Sequence, residues 1–236
     1  MTLTQTSSPN FDARDQAVKL TYIVLHYTGM KTGKEALERL IDPAAKVSAH
    51  YVVEEDGRIF QLVDEKNRAW HAGRGSWKDV TDINSASIGI ELVNPGHQHG
   101  YRAFPSAQIT VLKELLRDII ARNNFDARTC LLGHSDIAPE RKEDPGELFP
   151  WQELAKDGLG VWPQPNESDY ADADDGEVQK LLRQIGYACP TTGAYDRETR
   201  AALIAFQRRY EPETLTGTPE RETVGRMRAL CRAKNG

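Results

Sequence analysis

Two short runs constrain the architecture more than any other feature: Leu20-Thr-Tyr-Ile-Val-Leu-His-Tyr27 and Ser87-Ile-Gly-Ile-Glu-Leu-Val93. Their β-branched and aromatic content predicts strands. The first is apolar almost without a break, so it is expected to be buried on both faces, as the centre of a sheet. The second holds a single charge, Glu91, and the first ends on His26, just before Thr28-Gly29. By period two, Ile88, Ile90 and Leu92 share one face of the second strand, and Gly89, Glu91 and Val93 the other. Gly89 is expected to leave open space beside Glu91.

Other segments supply further strands and covering layers. Lys34 to Ile41 has Ala36, Leu37, Leu40 and Ile41 at helical spacing and must end before Pro43. Ser48 to Val53 and Arg58 to Val63, joined by Glu55-Asp56-Gly57, predict a hairpin. Pro105 to Asn123 is the longest helix, with Ser106 as N-cap and an apolar stripe of Ile109, Leu112, Leu115, Leu116, Ile119 and Ile120. Thr129 to Leu132 is the last strand, and Phe149 to Leu154 a short helix or turn. Residues 1–18 read as an irregular arm. Gly158 to Asp175, with Pro163, Pro165 and four aspartates, reads as a linker. Beyond it, Val178 to Ile185, Thr199 to Tyr210 and Arg221 to Arg232 are amphipathic helices. Asp196-Arg-Glu-Thr-Arg recurs loosely as Glu220-Arg-Glu-Thr-Val, a repeated capping turn. A length of 236 residues allows one large domain plus such a module.

A net charge of -5 supplies no electrostatic reason to expect nucleic acid or an anionic membrane as partner. No run approaches the ~20 apolar residues of a membrane span. Met1 to Asp15 is polar and does not read as a secretory signal. Cys130, Cys189 and Cys231 are too few and too widely spaced for a disulfide framework or a CxxC metal site. Cys130 reads as a buried small hydrophobe, and Cys189 and Cys231 as able to pair.

The segment Gly133-His134-Ser-Asp-Ile-Ala-Pro-Glu-Arg-Lys142-Glu-Asp144-Pro-Gly146 follows the last strand, and its prolines exclude a continuous helix. Polar groups crowded into a loop entered from a strand suit a site, and equally a capped turn whose His and Asp bond locally. His26, His134 and Asp144 are ligand types suited to Zn²⁺, with a fourth position left for water whose pKa the metal would lower to roughly 7. Spacing alone does not separate this from hydrogen-bonded structural histidines. Glu91 in an apolar strand is costly unless paired or neutral. A raised pKa would suit it as a general base, and a structural ion pair is the other reading. Lys142 stands two residues before Asp144, where a cation could hold an oxyanion or simply be solvated. His71 and Trp70, in the Gly-rich loop with Trp77, are candidate substrate contacts, as are Arg74, Asn84 and His50. For His50 a hydrogen-bonded core histidine is the favoured reading. His97 and His99 read as a solvated loop.

Four motifs, Ser48-Ala-His50-Tyr, Trp70-His71-Ala-Gly, Ser87-Ile-Gly-Ile-Glu91-Leu and the loop from Gly133 to Gly146, agree in order and spacing. Together residues 18–162 resemble the zinc-dependent N-acetylmuramoyl-L-alanine amidases of the AmpD/AmiD type, related to phage T7 lysozyme and the peptidoglycan recognition proteins. The resemblance implies an α+β fold, a central mixed β-sheet flanked by helices. It implies zinc on His26, His134 and Asp144, Glu91 as acid/base and Lys142 as the carbonyl-polarising lysine. The implied substrate is the amide between the lactyl group of N-acetylmuramic acid and L-alanine, in peptidoglycan or muropeptides, hydrolysed in cell-wall turnover or recycling. Asp136, Glu140 and Glu143 then become loop support. The tail is similar to a three-helix peptidoglycan-binding domain, although Thr216 to Thr223 departs from its usual Asp-Gly-rich turn. The combination is closer to the AmiD than to the single-domain AmpD type. The expected division is 1–162 catalytic, 163–171 linker and 172–236 helical. The cell envelope is the favoured compartment, with the cytoplasm as alternative. Rival readings are a non-catalytic peptidoglycan recognition protein on the same fold and another metallohydrolase, such as a peptidase or sugar deacetylase.

Overall fold

The computed structural model describes residues 2–235. Its strands are β1 (Leu3–Gln5), β2 (Phe11–Ala13), β3 (Tyr22–Tyr27), β4 (Tyr51–Val53), β5 (Ile59–Gln61), β6 (Asn67–Ala69), β7 (Ser87–Leu92) and β8 (Leu131–Gly133). Six of them form a mixed sheet in the order β1-β5-β4-β7-β3-β8, and β2 pairs with β6 in a separate ribbon. The helices are α1 (Gly33–Ile41), α2 (Ile83–Ala86), α3 (Ser106–Asn123), α4 (His134–Ile137), α5 (Trp151–Lys156), α6 (Asp175–Ile185), α7 (Arg197–Tyr210) and α8 (Arg221–Asn235). The mixed sheet flanked by helices is the α+β class expected from the sequence.

The two apolar runs lie side by side at the centre. β3 pairs in parallel with β7 on one edge and β8 on the other. Ile23, Val24 and Leu25 are fully buried, as burial on both faces requires. On one face, Ile23, Leu25, Ile88, Ile90 and Leu92 pack against the α3 stripe of Ile109, Leu112, Leu115, Leu116 and Ile119. On the opposite face, Tyr22, Val24 and Leu132 share a core with Leu182 of α6, Phe206 of α7 and Met227 of α8. The C-terminal helices are therefore the second covering layer of the sheet.

Several local expectations are corrected. The N-terminal arm is not irregular: β1 adds in parallel to β5 and β2 pairs with β6. Ser106 is the first residue of α3 rather than its N-cap, which is Pro105. The linker is bound along its length. A 3-10 turn, Glu167–Tyr170, is held to α8 by Arg232, whose Nη1 lies 2.5 Å from Asp169 Oδ1. Cys189 and Cys231 are not disulfide-linked to each other. Cys189 Sγ faces Thr199 Oγ1 at 3.8 Å, and Cys231 Sγ faces the Leu181 carbonyl at 3.9 Å.

The loose repeat is a real structural duplication. Gln179 on α6 bonds the Gly193 turn and Thr199 at the start of α7. Gln207 on α7 repeats this toward Gly217 and Thr223 at the start of α8. Each glutamine is fully buried, and its amide satisfies turn groups that would otherwise be orphaned.

Candidate metal centre

Strand direction assembles the site. β3, β7 and β8 are mutually parallel, so their C-terminal ends lie at one edge of the sheet, where open α/β sheets place ligands. In register, His26 stands beside Glu91, and Leu25 beside Gly133, the residue before His134. Side chains paired in register project to the same face. His26 and Glu91 therefore share the face that the C-terminal helices cover.

Three buried donor atoms converge there. His26 Nδ1 lies 2.9 Å from His134 Nδ1 and 3.0 Å from Asp144 Oδ2, and His134 Nδ1 is 3.0 Å from the same oxygen. The surrounding bonds fix which ring nitrogens carry hydrogen. Ser87 Oγ donates to the Ile83 carbonyl at 2.5 Å, so it can only accept from His71 Nε2 at 3.2 Å. His71 Nδ1 is then bare and accepts from His26 Nε2 at 3.0 Å, which leaves His26 Nδ1 bare. His134 Nε2 faces the Ala72 carbonyl at 2.9 Å and must donate to it, so its neutral ring also presents a bare Nδ1. Two lone pairs and a carboxylate aimed at one another repel unless a cation lies among them. Each imidazole has its far nitrogen tied to a defined acceptor, as metal-binding histidines do. The arrangement fits a zinc-type ion, with the two imidazoles and one carboxylate common to open sites.

Burial pushes His26 down to about 4, keeping the ring neutral. Glu91 goes the other way. Burial, and then the Asp144 charge, push it well above the usual range against the pull of Lys142. Its Oε2 is buried without a hydrogen-bond partner. It lines, with Lys142, the same cleft as the three donors, a volume of about 790 Å³.

The other predicted positions divide. His71 lines the cleft and bonds His26. Its ring fills the space over Gly89, where a Cβ would collide with it, so the space expected beside Glu91 is taken by the chain itself. Asn84 is corrected from substrate contact to brace: its Oδ1 accepts from the His71 and Ala72 N–H groups at 3.1 and 2.8 Å. His50 is the hydrogen-bonded core histidine favoured above, not a substrate contact. It is fully buried outside the cleft, and its Nδ1 accepts from Gly89 N–H at 2.9 Å. Trp70 and Arg74 are not among the cleft-lining residues, and Arg74 contributes its carbonyl to Arg141. His97 lies in an exposed turn, as expected, but its ring is engaged. It stacks on Tyr101, meets Tyr27 Oη at 2.9 Å and Glu147 at 3.1 Å, and lines the cleft mouth.

The partners of two supports were not legible in the sequence. Tyr101 Oη donates to the Pro145 carbonyl at 2.8 Å and accepts from Leu148 N–H at 3.0 Å, holding the turn that follows Asp144. Asp136 lies on α4, the single turn that begins with His134. It accepts from Gly133 N–H at 2.8 Å, from Tyr187 Oη at 2.7 Å and from Arg209 Nη1 at 2.5 Å. The last two donors belong to the C-terminal helical region. Acidic residues are ordinary in loops, and nothing in the sequence pairs position 136 with position 209.

The chain is similar to known proteins along most of its length. The sequence profile of the family described as N-acetylmuramoyl-L-alanine amidase matches residues 16–147, and that of a peptidoglycan binding domain matches residues 172–227. The chain is 36% identical to N-acetylmuramoyl-L-alanine amidase AmiD of Escherichia coli K12, over 93% of this chain and 86% of that protein. The structure of AmiD from E. coli, solved with anhydro-N-acetylmuramic acid-L-Ala-D-gamma-Glu-L-Lys, superposes with a TM-score of 0.79, covering 93% of this chain and 92% of that one at 35% identity. AmpDH3 from Pseudomonas aeruginosa, in complex with anhydromuramic pentapeptide, superposes with a TM-score of 0.82 at 30% identity, covering 97% and 95%.

Proposed function

The chain belongs to the N-acetylmuramoyl-L-alanine amidase family, and we propose how its own residues perform the hydrolysis. It is an amidase, and the bond cleaved joins the lactyl group of N-acetylmuramic acid to the L-alanine of the stem peptide. One observation carries the assignment of roles: two bare imidazole nitrogens and a carboxylate converge beside a buried carboxyl oxygen that has no partner.

We assign zinc to His26, His134 and Asp144. When bound, the ion would supply Lewis-acid activation of water and of the amide carbonyl. His71 and Ser87 hold His26 in the tautomer that can ligate, and the Ala72 carbonyl does the same for His134. Glu91 takes the proton from the attacking water and returns it to the alanine nitrogen as the amide breaks. Its raised pKa favours that return, and its free Oε2 is the atom that accepts. Lys142 puts a positive charge beside the carbonyl oxygen as that oxygen becomes negative. His71 also borders the space the substrate enters.

We divide the chain into a catalytic part, 1–162, a connecting segment, 163–171, and a peptidoglycan-binding-like part, 172–236. No helix among the described residues is long and apolar enough to cross a membrane. We favour the cell envelope as the compartment, because intact wall is met there. Recycling of muropeptides in the cytoplasm is the alternative, and fractionation of cells separates the two.

The test is digestion of purified muropeptides, with mass spectrometry of the products and metal analysis of the protein. Release of stem peptide with a free N-terminal alanine, lost on chelation and restored by zinc, is expected. Products cut at a peptide or acetyl bond instead would overturn the reading.

A further inference from the structure

One wall of the cleft is not built by the catalytic part. Arg197, Arg200, Ala201, Ile204 and Arg208 of α7 line it, together with His26, Glu91 and Asp144. Their spacing of three and four residues places them along one stripe of the helix. The opposite stripe, with Ala202, Leu203, Ala205 and Phe206, is fully buried in the core shared with the sheet. So α7 covers the sheet with one face and borders the cleft with the other.

Its arginines differ in how they are satisfied. Arg197 pairs with Glu140 at 3.2 Å at an exposed position. Arg208 is 11% exposed, and its buried Nε lies 3.6 Å from Glu147 Oε2, too far for a hydrogen bond. Arg200 forms no ion pair among the described residues, and its guanidinium reaches only the Thr216 carbonyl, at a long 3.4 Å. A planar guanidinium is a fork of donors matched to a carboxylate. Here one such fork has no anion, and the second meets its carboxylate only through a long Nε contact, both on the wall of a substrate cleft.

We propose that α7 is the carboxylate-reading wall of the active site, with Arg200 and Arg208 holding a free carboxylate of the stem peptide. The inference rests on the amidase reading for the identity of the ligand. The peptide bound in the AmiD complex contains D-gamma-Glu followed by L-Lys. A glutamate linked through its γ-carboxyl keeps its α-carboxylate free, and a terminal lysine keeps another. The C-terminal helices thus select among substrates at the site of cleavage, whatever else of the wall they bind.

The test uses the full zinc-loaded chain and two substrates: N-acetylmuramyl-L-Ala-γ-D-Glu-L-Lys, and the same molecule with both carboxylates converted to amides. Wild-type protein should prefer the first in kcat/KM, and R200A should reduce that preference ratio by roughly 10-fold. Arg200→Lys should restore part of it, because charge is kept and the bidentate fork is lost. A ratio unchanged in R200A would overturn the proposal. Calorimetry with the tripeptide L-Ala-γ-D-Glu-L-Lys and its diamide reads the same contrast without turnover. If neither substrate is cleaved but the tripeptide still binds more tightly than its diamide, in an Arg200-dependent way, the amidase reading fails and the wall stands. Equal binding of tripeptide and diamide overturns the wall by itself.

Discussion

Glu91 and His50 are ionisable groups at the heart of the sheet, the first half-buried and the second fully buried, and they predict opposite behaviour on substitution. Glu91 is half-buried, with Oε2 shielded and unpartnered, a cost that the proposed role as proton acceptor accounts for. Glu91→Gln keeps the shape and removes the proton acceptor. Turnover should fall by about 10²–10⁴-fold, while zinc content by metal analysis stays at the wild-type level. Loss of the metal together with activity would make Glu91 a ligand support instead. His50 has every ring atom bonded and no part in the cleft, so its effect is on stability. Burial, and then the nearby Arg14 charge, push it from 6.5 down to about 4. The unfolded chain therefore binds a proton on this ring at pH values where the folded chain does not. The stability due to the neutral ring is complete above pH 6.5 and is lost as pH falls toward about 4. The loss is on the order of 3 kcal/mol for this one group. His50→Gln can still accept from Gly89 or donate to Asn67 without titrating. Urea unfolding of the metal-free protein at a series of pH values should show a shallower decline in that window for the variant than for wild type, even if the variant starts lower.

At the level of elements, the turn that holds His134 is fastened from outside the catalytic part. Asp136 and Arg209 are 1% and 7% exposed, and they form an ion pair that also engages Tyr187, the Leu131 carbonyl and the face of Trp151. Removing one partner of such a pair leaves an uncompensated buried charge and costs about 3–5 kcal/mol. Arg209→Met should therefore lower unfolding free energy by that order, and weaken zinc binding because α4 begins at His134. Asp136→Asn combined with Arg209→Met should recover part of the loss. A single variant as stable as wild type would remove α7 from any role in holding α4. These elements also show what sequence could reveal. β3 and β7 were legible because burial on both faces leaves a run with almost no polar residue. His26 and Glu91 were legible because an imidazole or charge in such a run is expensive without a purpose, and Asp144 through the motif its loop carries. β1 and β2 were not, since three-residue strands at an edge bury little and their composition follows the solvent. The Asp136–Arg209 pair spans 73 residues, and its partners meet only once the last helices fold back over the sheet. The arginines of α7 looked like the polar half of an amphipathic helix, which they are, except that the solvent they face is the substrate cleft.

For the whole molecule, the amphipathic helices at the C-terminus and the sheet share one core. Tyr22, Val24, Trp77, Leu132 and Ile137 pack in the same cluster as Val178, Leu182, Phe206, Tyr210 and Met227. The seam is closely fitted: Trp77 meets Tyr187 edge to face with centroids 4.9 Å apart, and its ring lies where a Cβ on Gly186 would be. Lys78 N–H donates to the Gly186 carbonyl at 2.7 Å. A catalytic part ending at residue 162 would expose this face as one contiguous apolar patch and leave Asp136 without Arg209. Exposed patches of that kind drive association. The 1–162 fragment should therefore aggregate or bind an apolar dye strongly, and bind zinc more weakly than the full chain by calorimetry. Supplying 172–236 as a separate polypeptide should restore part of both solubility and zinc affinity, since the contacts are non-covalent. A monomeric 1–162 fragment with a cooperative melt near that of the full chain would mean that the sheet is complete without its second layer. The helices would then be a wall-binding appendage, with no share in building the metal centre.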